Sequence, residues 1–321
     1  MDHINVLYTV DKNYVNYMLV SMCSLIENNS NMDICFHIIC DGLEEIDFVN
    51  IDNTIKSFVN VDLKFYDFSA IKGLIEKYEI PEWNSSSMPN ARLFFDACIR
   101  DVDRLLYLDS DTIVVNSLTG LSNYNNAIHM VRDSMPTNYW KSLSPKLLHY
   151  YNSGVMWIDV DNWKKNAFHD KIIHGLENRI PYKYPDQDLI NLTLSENIYD
   201  LPPNYNLFST DDYFPLLFLR RFYDKAGISR YSEDEMLAAK KYPIILHSTP
   251  FYGFKAWDGN SIHPFYTYYQ EYFEKLGLNL NAEQSEINEE LFRLGLYSRL
   301  ICPSMVSSMI KQVKKYVKIK K

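Results

Sequence analysis

No stretch of this 321-residue chain holds the roughly 18 consecutive apolar residues that a membrane-spanning helix requires, so no spanning segment is expected. Cysteine is sparse. The five residues Cys23, Cys35, Cys40, Cys98 and Cys302 form no C-x-x-C pair and show no spacing to histidine that suits a structural metal. The odd count, with a start that runs straight into a strand and shows no signal-peptide pattern, predicts reduced thiols and a cytoplasmic protein. No Gly-x-Gly-x-x-Gly follows the first strand, which disfavours an NAD-type dinucleotide fold. Internal repeats and low-complexity linkers are missing too. A net charge of −9 argues against nucleic acid as the main partner. The exception to that acidity is the C-terminus, where six lysines fall between Lys311 and Lys321 with no acid among them.

What is present is ordinary in bulk and specific in order. A chain of this length, 47% hydrophobic and 23% charged, can bury a full α/β core. The 25 tyrosines and 17 phenylalanines suit sugar-stacking surfaces and equally suit a large core. Segments 4–10, 34–40 and 61–66 read as strands, and helically spaced apolar residues at 17–28 and 46–58 lie between them. That β-α-β-α-β order predicts a parallel sheet with right-handed crossovers. Further on, helices are expected at 71–78, 90–99, 163–176 and 265–276, with a loop at 81–89. Segment 185–195 reads as a loop turning into a helix, strands are expected at 127–131, 154–159 and 242–247, and 198–201 leads into Pro202-Pro203. Helices are also expected at 288–300 and 303–321. The latter sets Val306, Met309, Ile310, Val313, Tyr316 and Val317 against lysines, as a basic amphipathic helix does. Such a helix either docks on an anionic membrane surface or packs on the core with its lysines in water.

The stretch around which the rest is organised is Arg104 to Val115, RLLYLDSDTIVV. Asp-x-Asp occurs four times, at Asp101/Asp103, Asp109/Asp111, Asp159/Asp161 and Asp186/Asp188. Only Asp109/Asp111 follows a strand-like apolar run directly and is followed by another. Residues two apart project to the same side, and ligands of open α/β sheets gather beyond the carboxyl ends of the strands. Converging carboxylates repel unless a cation or proton relieves them, so a divalent metal with a phosphorylated substrate is the natural resolution.

With its neighbours this stretch resembles the retaining glycosyltransferases of family 8, and among them the bacterial lipopolysaccharide and lipo-oligosaccharide galactosyl- and glucosyltransferases. The resemblance covers about residues 4–260, in the family's motif order. It implies the GT-A fold, an α/β Rossmann-like architecture with a mixed, mostly parallel central sheet flanked by helices. The catalytic domain would span residues 1–264 and a C-terminal helical extension 265–321. In YTVDKNY, Thr9, Asp11, Asn13 and Tyr14 stand where the family holds the uracil and ribose of a UDP-sugar. Arg92 in NARLF matches an arginine that approaches the donor. In YLDSD, Asp109 and Asp111 match the ligands of Mn²⁺ (or Mg²⁺), with Ser110 near the ribose and His247 in IILHSTP as third ligand. The HSTPFYGFKAW segment is two residues longer than the family's, has Ala256 where proline is usual, and aligns Gly253 and Lys255 with donor-binding positions. On the acceptor side, YYNSGV gives Asn152, Ser153 and Gly154, and PDQDLIN gives Asp186, Gln187 and Asp188. Asp133 falls where the family has an acid near the reacting sugar.

The implied function is transfer of glucose or galactose from a UDP-hexose, in α-linkage, to a glycan acceptor that is lipid-linked or part of a cell-surface polysaccharide. The basic tail would hold the enzyme on the inner face of the cytoplasmic membrane. Retention requires either a covalent glycosyl-enzyme or same-face attack through an oxocarbenium-like ion. By the resemblance Asp186 and Gln187 would line the relevant face of the donor sugar, and a glutamine amide is a poor nucleophile, which favours same-face attack. Two rival readings differ in class. A haloacid-dehalogenase-like phosphohydrolase would use Asp109 as nucleophile, with Asp211-Asp212 downstream, but it leaves YTVDKNY, YYNSGV, PDQDLIN and His247 unexplained. A carbohydrate-binding protein that has lost turnover is disfavoured because all three metal-ligand positions are filled.

Overall fold

The architecture is that of a computed structural model, which describes residues 3–278 apart from 84, 179–181, 217–218, 220–230, 252–253 and 259–262. The apolar run at the N-terminus forms β1 (His3–Asp11), buried along nearly its whole length because it has a strand on each side. It pairs in parallel with β2 (Asp33–Asp41), Ile4 opposite Ile34, and with β4 (Arg104–Leu108), Val6 opposite Leu106. β3 (Val61–Asp67) adds to β2 as an edge strand. With β6 (Ile128–Arg132), β7 (Tyr151–Asp159) and β8 (Ile198–Asp200), the seven-stranded order is β3-β2-β1-β4-β7-β6-β8. Among these strands β7 alone runs against the rest.

Strand alternation sorts the core to two faces. Leu7, Leu105 and Tyr107 face a cluster with Phe94, Phe95, Trp163 and Leu189. Val6, Tyr8, Leu106 and Leu108 face Met18, Leu19, Met22 and Leu25 of α1 (Val15–Asn28). Each such side chain contributes about 1.5–3 kcal/mol on leaving water. α1 stops at Asn29, whose side chain donates to Leu25 O (3.0 Å) and accepts from Leu118 N (2.7 Å).

Several expected elements differ in form. The single run at 104–115 becomes two strands in two sheets: β5 (Thr112–Val114) leaves the main sheet and pairs with β10 (Ile245–His247), beside β9 (Leu207–Phe208). β7 begins at Tyr151, not at 154, because Tyr151 still pairs with Arg132. The expected helix at 90–99 is 3-10 in form (Met88–Ala97) and kinks at Phe94. The helix expected at 163–176 is two, Val160–Lys165 and Phe168–Glu177, separated where Ala167 takes a left-handed φ of 51°. A further helix, Thr137–Leu143, has no counterpart in the sequence reading. Helix Tyr266–Lys275 packs through Tyr269, Tyr272 and Phe273 on Trp257 and α1. The helices expected at 288–300 and 303–321 lie outside the described residues.

Candidate active site

The chain passes from β1 outward to β2 and β3, then returns to β4 on β1's other side, so the topological switch lies between β1 and β4. Their carboxyl ends carry Thr9 and Asp11, and Asp109 to Asp111. The reversed β7 brings its beginning, Asn152 to Gly154, to the same end. β6 ends toward Asp133 and β10 ends in His247. The helix at Pro185–Leu194 starts at once on Pro185, whose fixed φ suits a first helical position. This puts Asp186, Gln187 and Asp188 in the first turn instead of a loop, where acids complement the helix dipole. All of these except Gly154, Pro185 and Asp188 line a cavity of about 360 Å³.

Asp109 and Asp111 are held differently. Asp109 Oδ1 accepts from Arg92 Nη2 (2.7 Å) and Tyr107 Oη (2.8 Å). Asp111 Oδ1 lies 3.1 Å from His247 Nε2, and its Oδ2 accepts from Lys255 Nζ. Burial alone would raise the Asp111 carboxyl, but Lys255 and His247 outweigh it and hold it well below the usual carboxylate range. One ligand atom each from Asp109, Asp111 and His247 lie within 4.8 Å of one another. The set, two carboxylate oxygens and one imidazole nitrogen, fits a divalent cation such as Mn²⁺. The fit also depends on Gly154. A Cβ there would stand 2.7 Å from Asp109 Oδ2 and collide with His247 Cε1, so the two side chains pack directly against bare backbone.

Arg92 is buried and fully engaged. Its Nε donates to Pro89 O (2.8 Å) and lies 3.2 Å from Asp186 Oδ2, Nη1 donates to Ser153 O (2.9 Å) and Oγ (3.0 Å), and Nη2 meets Asp109. The guanidinium also lies over the Tyr107 ring, 4.5 Å from its centroid. Burial disfavours its charge, yet Asp109, Tyr107 and Asp186 more than restore it. In this arrangement Arg92 orients two carboxylates. The cation that faces the cavity more openly is Lys255, whose side chain is 21% exposed. Asp186 accepts from Ser153 Oγ (2.9 Å), and burial, reinforced by Asp109, raises its carboxyl despite Arg92.

Gln187 and Asp133 form the opposite wall. Gln187 Oε1 accepts from Asn152 Nδ2 and Ser153 N (both 3.1 Å), and its Nε2 donates to Asp133 Oδ2 (3.2 Å). Asn152 Nδ2 also donates to Asp133 Oδ2 (2.9 Å). Asp188 points away from the cavity and is fully buried, accepting from Tyr139 Oη (2.6 Å), Tyr150 Oη (2.5 Å), Lys183 N (2.7 Å) and Tyr184 N (2.9 Å).

Of the residues expected at the site, Thr9, Asp11, Tyr14, Arg92, Asp109, Ser110, Asp111, Asp133, Asn152, Ser153, Asp186, Gln187, His247 and Lys255 line this one cavity. The Ser110 hydroxyl is buried on its wall with no partner. Asn13 does not reach the wall: its backbone N–H closes a turn on Asp11 Oδ1 (2.9 Å) and the residue is exposed. Gly253 lies outside the described residues. The sequence reading passed over Ser86, which donates to Asp11 Oδ2 (2.7 Å), and the aromatic pair Trp83 and Tyr184 on the wall. It also passed over Asn206, whose Oδ1 lies 2.9 Å from His247 Nδ1 and whose Nδ2 donates to Asn152 Oδ1 (2.9 Å). Tyr107 had a signal, standing two residues before Asp109 on the same strand face. Asn206 had none.

A strand-switch cavity lined by paired carboxylates and an imidazole is a site suited to a divalent cation, and comparison with known proteins gives the family. The model of glycosyl transferase family 8 matches residues 5–261, and the chain belongs to that family. It is 29% identical over 218 residues to a lipopolysaccharide 1,2-glucosyltransferase of Escherichia coli, a match covering 64% of this chain and 63% of that protein, less than two thirds of the relative's length. To general stress protein A of Bacillus subtilis it is 24% identical over 283 residues, covering 84% of this chain and 91% of that one. The structure of galactosyltransferase LgtC with donor and acceptor sugar analogues matches with a TM-score of 0.64 at 21% identity, over 88% of this chain and 98% of that one. The fold is accordingly GT-A.

Proposed function

We propose that this chain is a retaining hexosyltransferase that moves glucose or galactose from a UDP-sugar to a glycan acceptor, in α-linkage, in cell-surface polysaccharide or lipopolysaccharide assembly. The observation that carries the reading is the convergence of Asp109, Asp111 and His247 in the same cavity as Asp186, Gln187 and Asp133. Asp109, Asp111 and His247 would hold Mn²⁺ or Mg²⁺. When bound, that cation would neutralise charge on the diphosphate as the sugar–phosphate bond breaks. Lys255 adds positive charge on the same side, and Arg92 fixes Asp109 and Asp186. Thr9, Asp11 and Tyr14 form the wall suited to uracil and ribose. Gln187, held between Ser153 N and Asp133, offers no nucleophile. Same-face attack, with a leaving phosphate oxygen taking the acceptor's proton, fits this wall best.

The test is UDP release from a panel of UDP-sugars with Mn²⁺, in wild type and Asp111→Asn. Mn²⁺-dependent hydrolysis of one UDP-hexose, falling by more than the ~10–100-fold typical of outer-shell changes in the variant, is expected. Binding without turnover of any UDP-sugar would instead indicate a carbohydrate-binding protein. Phosphatase activity lost in Asp109→Asn would favour the phosphohydrolase, although Asp211 and Asp212 are not on the cavity wall.

The acceptor is proposed to be lipid-linked, with the protein peripheral on the cytoplasmic membrane. No described helix is long and apolar enough to cross one. The lysines of 311–321 support surface attachment, each worth about 1 kcal/mol near anionic lipid. Replacing Lys314, Lys315 and Lys318 by glutamine is expected to release the protein from phosphatidylglycerol vesicles at low salt. Unchanged co-sedimentation would remove the tail from this account.

A further inference from the structure

Two backbone N–H groups dictate how every amide in the site is turned. Gly154 N donates to Asn152 Oδ1 (2.9 Å), and Ser153 N donates to Gln187 Oε1 (3.1 Å). Backbone nitrogen can only donate, so both acceptors must be oxygen. Asn152 therefore turns its Nδ2 toward Asp133 and Gln187. Asn206, which meets Asn152 Oδ1 at 2.9 Å, must present its own Nδ2 there. That leaves Asn206 Oδ1 facing His247 Nδ1 at 2.9 Å, and the ring nitrogen has to carry the hydrogen. In a neutral imidazole Nε2 is then bare, and Nε2 is the nitrogen aimed at Asp111 (3.1 Å) and Asp109 (3.8 Å).

We propose that Asn206, 1% exposed, is a two-armed positioning residue. Its amide oxygen holds His247 in the Nδ1–H tautomer with Nε2 ready to ligate a divalent cation. Its amide nitrogen ties that ring through Asn152 to Asp133 and Gln187. The metal-ligating and sugar-facing walls are thereby turned by one set of directed hydrogen bonds, and a flip at Asn206 would break both connections. Outer-shell partners of ligating histidines commonly act on ring orientation and basicity in this way.

The inference rests on the metal-dependent reading above, and its test separates the two. Mn²⁺ binding, followed without sugar by the electron paramagnetic resonance of the free ion, is compared in wild type, Asn206→Leu and Asn206→Asp. Asn206→Leu removes both arms at similar volume and is expected to weaken binding about 10–100-fold. Asn206→Asp keeps an oxygen for Nδ1–H and is expected to bind at least as tightly as wild type, since a charged acceptor is the stronger one. It removes the donor to Asn152, so kcat for UDP-sugar hydrolysis is expected to fall while Mn²⁺ affinity holds. Wild-type affinity in Asn206→Leu, or equal weakening in both variants, would overturn the proposal. Lack of Mn²⁺ binding by wild type would overturn both it and the metal reading.

Discussion

Gly154 shows how little room the site leaves around its carboxylates. Its missing Cβ is the space in which Asp109 Oδ2 and His247 Cε1 sit, and its N–H and C=O bind Asn152 Oδ1 (2.9 Å) and Asp109 N (2.8 Å). Gly154→Ala is expected to push those two ligands apart and weaken Mn²⁺ binding at least as much as an outer-shell change, about 10–100-fold. The thermal midpoint should move far less, because the methyl displaces side chains lining a cavity and not the packed core. Calorimetric Mn²⁺ binding beside a melting curve would check this, and unchanged affinity would refute it. At this scale the sequence was a good guide to which side chains converge where they sit in motifs, as with Asp109, Asp111 and His247. It was silent on Asn206, because a lone polar residue between Tyr205 and Leu207 carries no pattern, and only the fold brings it to His247.

At the scale of elements, Asp188 controls the start of the helix that bears Asp186 and Gln187. Four donors converge on its carboxylate, two of them backbone N–H groups of Lys183 and Tyr184 just before the helix. Asp188→Ala would strand buried donors, each costing about 1–3 kcal/mol, so a loss of about 3 kcal/mol or more is expected in urea unfolding. A loss below about 1 kcal/mol would mean that water or neighbouring groups replace the carboxylate. Strands β1, β2 and β3 were readable to within a residue or so, β1 and β2 because they are largely apolar and buried, β3 because Val61, Leu63 and Phe65 alternate with Asp62 and Lys64 as an edge strand allows. The split at Asp109-Ser110-Asp111 was not. Periodicity reports that residues 104–108 and 112–114 are both buried strand, but says nothing of their belonging to different sheets. Asn152 and Ser153 hid the start of β7 for a related reason: their polar side chains face the cavity, so the apolar pattern begins only after them.

Over the whole molecule, acid is expected to weaken the fold through histidines that are buried uncharged. His37, between Tyr66 Oη (2.9 Å) and Asn5 Oδ1 (3.1 Å), is lowered from 6.5 to about 4, by burial first and then by Lys64 and His3. His263 is lowered to about 4 as well, chiefly by burial. Because the folded-state values lie below those of the unfolded chain, unfolded chains take up these protons first as pH falls. The stabilisation is complete above about 6.5 and is lost progressively as pH falls through about 4. Urea unfolding between pH 7.5 and 4 should show that decline, made shallower by His37→Gln. A flat profile in wild type would rule the histidines out.

The division of residues 104–114 between two sheets has a mechanical meaning. Asp109 is pinned to the large sheet through its N–H on Gly154 O (2.8 Å), whereas Asp111 O receives Ser248 N (2.8 Å), just beyond the small sheet's β10. The two carboxylates thus stand on either side of a seam, and their separation measures how the sheets are aligned. A cation gripping both would act as a second rivet across that seam, beside the Asn206–Asn152 hydrogen bond, at the point where the chain passes from one sheet to the other.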